Sequence, residues 1–102
     1  MDVALLYFDG CPNHGAALTS LQRLLDEADW VGTVEMVRVE KQEEAERVGF
    51  RGSPTVLLDG TDPFFEADAP VGLSCRVYRS ARGLQGVPPI DDLRYAIAQH
   101  LG

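Results

Sequence analysis

Positively charged residues are scarce in this chain of 102 residues, which has 9 Lys and Arg against 16 Asp and Glu. The formal net charge is −7. Binding to a nucleic acid backbone or to anionic lipid requires clustered Lys and Arg side chains. The charge balance therefore excludes sequence-independent binding to nucleic acid and argues against a membrane surface as a partner.

Long apolar runs are also lacking. The run Val3–Phe8 is too short for a signal-peptide core or a membrane span, and no basic leader precedes it. We therefore expect a cytoplasmic protein. In a reducing compartment its two cysteines, Cys11 and Cys75, are expected to be free thiols rather than a structural disulfide.

The chain has no repeat, linker or low-complexity tract, and its length fits one domain over residues 1–102. The apolar pattern predicts the order β-α-β-α-β-β-α. The strands are predicted at Val3–Phe8, Val34–Val39, Thr55–Leu58 and Cys75–Arg79, and the helices begin near Pro12, Glu43 and Asp91. A helix between the first two strands makes them parallel neighbours. We expect a mixed four-stranded sheet with helices on both faces.

A long connection at about residues 60–74 separates the third and fourth predicted strands. Hairpin loops usually have two to five residues, so a connection of this length is expected to be functional or partly disordered. Phe64 and Phe65 lie within it among acidic residues. They either cover a thiol substrate as a lid or anchor the connection to the core.

Two passages resemble the thioredoxin superfamily. Glu44–Thr55 is similar to that family's helix, glycine and proline passage, and Phe8–Pro12 is similar to its active-site junction. The resemblance implies a thioredoxin-like α/β fold, with the connection at 60–74 as an insertion, and a cis bond between Ser53 and Pro54.

The chain departs from that family at three positions. His14 stands where the dithiol enzymes have their second cysteine, Gly10 replaces an aromatic residue, and Leu5 replaces a buried acid. A resolving cysteine next to Cys11 is thus excluded unless Cys75 comes close in space.

A weaker resemblance links Gly72–Tyr78, together with Cys11 upstream, to the two-cysteine layout of organomercurial lyases. It implies two thiolates that act on a carbon–mercury bond. In those enzymes a carboxylate follows the first cysteine by three residues, and this chain has His14 there.

Cys11 is the predicted nucleophile. With Pro12 as the first helical residue, Cys11 falls at the N-cap, where the free N–H groups of Asn13 and His14 favour the thiolate. His14, one turn on, is predicted to contact the sulfur. The alternatives are a cysteine retained in a scaffold that only binds, and a histidine without a role in the site.

Cys75 is the third member of the predicted catalytic site. At the start of an antiparallel fourth strand it would lie about 15 Å from Cys11, as an inert core cysteine. A partnership with Cys11 requires the insertion to return Cys75 to the site. Cys11, His14 and Cys75 are also acceptable metal ligands, but a single Cys-x-x-His is a weak signal. We predict no metal and no cofactor.

Pro54 is expected to present the backbone of Ser53 and Thr55 to an extended substrate, with Pro12 beside it. The leading hypothesis is a monothiol redox protein. In it Cys11 attacks a disulfide, of a protein or of glutathione, and an external thiol such as glutathione releases the product. The alternatives are an organomercurial or heavy-metal protein using Cys11 with Cys75, and a non-catalytic interaction module.

Overall fold

The computed structural model describes all of residues 1–102, which form three helices and five strands. In chain order the elements are β1 (Val3–Tyr7), α1 (His14–Glu27), β2 (Glu35–Arg38), α2 (Gln42–Val48), β3 (Thr55–Leu58), β4 (Tyr78–Ser80), β5 (Gly83–Gln85) and α3 (Ile90–Leu101).

The central sheet has three strands in the order β2-β1-β3. β1 runs parallel to β2, as the intervening helix predicted, and antiparallel to β3. Leu5 at the centre of β1 pairs with Met36 on one side and with Val56 on the other. The middle strand is therefore fully paired, and its carboxyl end leads directly into the Cys11 loop.

Each face of this sheet has its own core because side chains alternate along β1. Val3 and Leu5 belong to a larger cluster with residues of α1, β3 and α3. Leu6 belongs to a smaller cluster with Ala45 of α2 and with Phe50. The α/β class is confirmed, with α1 and α3 on one face and α2 on the other.

The predicted four-stranded sheet is wrong. The last two strands form a separate hairpin, in which β4 pairs only with β5, and the strand begins at Tyr78 rather than at Cys75. Cys75 instead forms an isolated parallel bridge with Ser53. The long connection returns the chain to Ser53 and Pro54, immediately before β3. The segment around Cys75 therefore does not run antiparallel along β3.

The end of α2 and the start of α3 agree with the signals in the sequence. α2 ends at Gly49, whose φ of 70° is left-handed and favours glycine. α3 has Asp91 and Asp92 in its first turn, where carboxylates complement the helix dipole. None of the three helices combines the length and the apolar character needed to cross a membrane.

Candidate thiol site

The Cys11 loop joins β1 to α1. The Cys11 N–H donates to the Phe8 carbonyl at 3.3 Å and closes a tight turn. The helix begins only at His14, with Asn13 at the N-cap and no side-chain capping bond. The predictions that Cys11 is the N-cap and that Pro12 is the first helical residue are therefore wrong. Pro12 lies exposed in the turn that precedes the helix.

The Cys11 side chain is fully buried, with 0% of the residue exposed. Its thiol donates a hydrogen bond to the carbonyl of Ser53, at a sulfur–oxygen distance of 3.4 Å. Burial removes the sulfur from direct contact with a molecule in solution. Cys11 thus occupies the predicted neighbourhood of Ser53 without the exposure that a primary nucleophile needs.

His14 contacts the backbone of Cys11. Its Nδ1 lies 2.9 Å from the Cys11 carbonyl oxygen, and because a carbonyl only accepts, Nδ1 carries the proton in this contact. The imidazole stacks on Tyr7 with the ring centres 4.5 Å apart. His14 therefore holds the shape of the loop that carries Cys11, whereas a contact with the sulfur was predicted.

The Ser53–Pro54 bond is cis, which confirms the prediction. Both backbone groups of Ser53 are already used within the chain. Its N–H donates to the Ser74 carbonyl at 2.8 Å, and its carbonyl accepts from the Arg76 N–H at 2.9 Å.

Ser53, Pro54 and Thr55 are all buried. In this arrangement the segment Ser74–Arg76 occupies the backbone groups of Ser53 that were predicted to bind an extended substrate.

Cys75 lies beside Cys11. It bridges with Ser53, the same residue that accepts the Cys11 hydrogen bond. Hydrogen bonding to the neighbouring Cys11 thiol, followed by desolvation and by the charge that Cys11 carries when ionised, raises the pKa of Cys75. Both thiols are free, and Cys75 is exposed. The prediction of a distant cysteine in the core is wrong, because Cys75 is exposed and its segment meets Ser53.

Close backbone packing brings Cys75 into the site. Gly52 has a φ of 114°, and a Cβ at this position would lie 3.0 to 3.1 Å from backbone and Cβ atoms of Arg76. Real Cβ contacts are rarely so short, so glycine is needed for the segment to approach Ser53. Residue 52 therefore controls how closely the Cys75 segment approaches Ser53, whose carbonyl accepts the hydrogen bond from Cys11.

A buried ion pair anchors the same segment. The Arg76 side chain is 5% exposed and lies 2.8 Å from Asp62, which is 13% exposed. Arg76 also donates to Thr55 Oγ1 at 3.0 Å and to the Phe64 carbonyl. A buried guanidinium requires such partners because an unpaired buried charge is strongly destabilising. The pair fixes the path of the insertion beneath Cys75.

Tyr78 binds the segment that follows Arg76 to the turn at Pro54. Its hydroxyl donates to the Pro54 carbonyl, and its ring meets Phe64 edge to face at 5.3 Å. Burial raises the pKa of Tyr78, so the hydroxyl keeps its proton and remains a donor. Phe64 is thus an anchor of the insertion, which was one of its two predicted roles.

Sequence reasoning missed Arg76, Asp62 and Tyr78. One signal was available: Arg76 and Tyr78 alternate with the exposed Cys75 and Val77, which is the period of a half-buried extended segment. An arginine on the inward side of such a segment requires an acidic partner, and the insertion supplies acidic residues. Which of them is the partner depends on the folded path.

Metal-binding side chains are few at this site. The structure has no group of three or more His, Cys, Asp or Glu side chains arranged to hold a metal ion. Cys11 and Cys75 are the two thiol donors whose segments meet at Ser53.

Comparisons with protein-family models, with curated proteins and with solved structures found no match to this chain.

Proposed function

We propose that the protein is a dithiol redox protein on a thioredoxin-like scaffold, with Cys75 and Cys11 as its reacting pair. The observation that carries the proposal is that both thiol-bearing segments meet at Ser53, which bridges with the exposed, free Cys75 and accepts a hydrogen bond from the buried, free Cys11. The order of β1, α1 and β2 and the position of the Pro54 turn beside Cys11 support the scaffold. The proposal replaces the monothiol reaction expected at Cys11.

Cys75 makes the first attack because it is the thiol that a substrate can reach. Its thiolate attacks one sulfur of a substrate disulfide, whose sulfur–sulfur bond breaks. The first substrate thiol leaves with its electron pair and takes up the proton that Cys75 has lost. The product is a mixed disulfide between Cys75 and the second half of the substrate.

Cys11 completes the reaction. Its thiolate attacks the Cys75 sulfur of the mixed disulfide, expels the second substrate thiol and forms a Cys11–Cys75 disulfide. The substrate gains two electrons and two protons, and the protein dithiol loses them. An external thiol or dithiol must reduce the protein before another cycle. The buried position of Cys11 suits this second step, which needs access only to Cys75.

The surrounding residues hold the two sulfurs in reach of each other. Ser53 contacts both cysteine-bearing segments through its backbone, His14 fixes the Cys11 loop, and the Arg76–Asp62 pair fixes the segment of Cys75. Such positioning matters because the second attack is intramolecular and gains from a prearranged geometry.

The test is steady-state reduction of bis(2-hydroxyethyl) disulfide with a dithiol as the final reductant. We expect Cys75→Ser to fall to the background rate. We expect Cys11→Ser to perform the first step and to accumulate as a mixed disulfide at Cys75, identified by mass spectrometry. Activity that survives Cys75→Ser but is lost in Cys11→Ser would contradict the proposal and favour a monothiol mechanism. If the wild type and the double serine variant react at the same rate, a non-catalytic interaction module remains the only one of the three hypotheses.

A second candidate function is the binding of a soft, thiol-seeking ion such as Hg²⁺. The same observation favours it, because two adjacent thiolates suit such ions. Cleavage of a carbon–mercury bond has less support, since His14 is engaged with the Cys11 carbonyl and no third metal-binding group lies with the sulfurs. Competition for Hg²⁺ against a chelating dithiol tests the binding, which should be lost when either cysteine becomes serine.

A further inference from the structure

A cleft of about 400 Å³ opens beside the exposed Cys75. Its volume lies in the range of pockets that take small ligands. The proposed dithiol chemistry does not use the rest of its lining, which has a distinct composition. Three arginines and one carboxylate line it: Arg51, Arg76, Arg79 and Glu66.

This charge balance is opposite to that of the whole chain, which has a net charge of −7 and only nine basic residues. Arg76 is neutralised by Asp62 beneath the cleft. Of the remaining cations, Arg79 is 80% exposed and lies 3.8 Å from Glu66, a distance at which an exposed pair interacts weakly. Its positive charge is therefore available to a ligand.

Arg51 supplies the second positive charge. Its partners are uncharged: it donates to the carbonyls of Ala67 and Ala69, and its guanidinium lies 4.9 Å from the centre of the Phe65 ring. With two cations against one carboxylate, the cleft has an excess of positive charge directly beside the reactive sulfur. Such a local excess attracts anions even on an acidic protein, because a cleft focuses the field of its own charges.

Apolar side chains complete the cleft. Val77 and Leu84 are 57% and 71% exposed, and Ala69 and Pro70 lie in the same lining. These groups offer a surface for the carbon skeleton of a ligand, while the arginines offer donors for its charge.

We infer that this cleft selects small disulfides that carry a carboxylate, with Arg79 and Arg51 as specificity-determining residues. The inference rests on the proposed function, since it assigns a substrate class to the same Cys75 thiol. The carboxylate binds at the arginines and the disulfide sulfur meets Cys75. Neither arginine takes part in the transfer of electrons.

Alkylation of Cys75 measures the charge preference without any redox step. Iodoacetate and iodoacetamide have similar shapes and differ by one negative charge. The rate of iodoacetate divided by the rate of iodoacetamide at Cys75 therefore reports the local charge. We expect Arg79→Glu to lower this ratio about tenfold. The matched control is Arg82→Glu in the turn between β4 and β5, an exposed arginine outside the cleft lining, which should change the ratio less than about twofold.

Disulfide reduction then tests the substrate class. In a single turnover we compare 5,5′-dithiobis(2-nitrobenzoate), which is anionic, with neutral 2,2′-dithiodipyridine and cationic cystamine. Arg79→Glu should slow the anionic probe about tenfold, leave the neutral probe nearly unchanged and speed the cationic probe. Equal effects on all three probes, or equal effects of Arg79→Glu and Arg82→Glu, would overturn the inference.

The two proposals fail in different ways. If the proposed function is wrong, none of the three disulfides yields a Cys11–Cys75 bond, and the alkylation ratio still decides whether the cleft attracts anions. If only the inference is wrong, all three probes are reduced and the arginine variants leave their relative rates unchanged.

Discussion

Ser53 is the residue through which both thiols meet. Its carbonyl accepts from Cys11 and from the Arg76 backbone, and its N–H binds the Ser74 carbonyl. Sequence reasoning placed Ser53 in the site, as a backbone that receives a substrate strand. The chain's own segment fills that role, and it brings Cys75 as the second sulfur.

Cys11 was found from the sequence because a cysteine after a buried strand and before a helix is a local pattern. The burial of Cys11 could not be predicted from the sequence, because it depends on which residues cover the loop in the folded protein. The segment of Cys75, which bridges with Ser53 beside Cys11, is separated from Cys11 by more than half of the chain. The roles of the two thiols, one reachable and one sheltered, therefore required the folded structure.

Replacing Cys11 by alanine should lower the pH at which Cys75 becomes reactive. The hydrogen bond to Cys11 and the Cys11 charge raise the pKa of Cys75, so their removal moves the midpoint of Cys75 alkylation down toward the ordinary cysteine value of about 8.5. The measurement is the rate of iodoacetamide alkylation against pH, with peptide mapping to assign the modified residue.

Cys11→Ser provides the graded comparison for that experiment. Serine keeps a hydrogen-bonding side chain but does not ionise in this range, so its midpoint should lie between those of the wild type and Cys11→Ala. A midpoint that is unchanged, or that rises, in Cys11→Ala would show that the two thiols do not interact.

At the scale of elements, the sequence predicted the parts whose signals are local. The buried strand β1, the parallel pairing of β1 with β2, the end of α2 at Gly49 and the acidic start of α3 all follow from short patterns. The prediction of a fourth strand in the sheet failed because the pairing of that strand depends on the path of residues 59–77. That path is fixed by contacts between distant residues, above all Arg76 with Asp62.

Gly52→Ala should move the Cys75 segment away from Ser53 and thereby away from Cys11. Its added Cβ would meet Arg76 at about 3 Å, so we expect a loss of unfolding free energy of about 2 kcal/mol or more and slower formation of the Cys11–Cys75 disulfide. Urea denaturation and the rate of disulfide formation measure the two effects.

Gly83→Ala is the matched control. Gly83 has a φ of 111°, close to that of Gly52, but a Cβ there meets no atom within 4 Å. It should therefore lose only the stability due to the backbone conformation, about 1–2 kcal/mol, and form the disulfide at the wild-type rate. Equal disulfide rates in the two variants would contradict the role assigned to the Gly52 contact.

At the scale of the whole molecule, the charge of −7 and the arginine-lined cleft act in opposite directions. From the sequence alone, the overall charge predicts that nucleic acid is an unsuitable partner. The local excess of positive charge was invisible there, because Arg51 and Arg79 belong to different parts of the chain and the fold brings them together beside Cys75.

Oxidation should stabilise the whole fold. A bond between Cys11 and Cys75 closes a loop of about 65 residues, and the chain-entropy argument gives a gain of about 4 kcal/mol in unfolding free energy. Urea denaturation of the reduced and oxidised protein measures the gain. The same oxidising treatment should leave Cys75→Ser unchanged, and a wild type that is no more stable after oxidation would argue against an unstrained bond.

The most direct test of the central claim is the stoichiometry of the reaction with one equivalent of 5,5′-dithiobis(2-nitrobenzoate), at high dilution of the reduced protein. A reacting pair predicts the release of two equivalents of the aromatic thiolate. The monomer then loses the mass of two hydrogen atoms, and a proteolytic peptide joins Cys11 to Cys75. Release of one equivalent, with the aromatic thiol remaining attached to a single cysteine, would contradict the account.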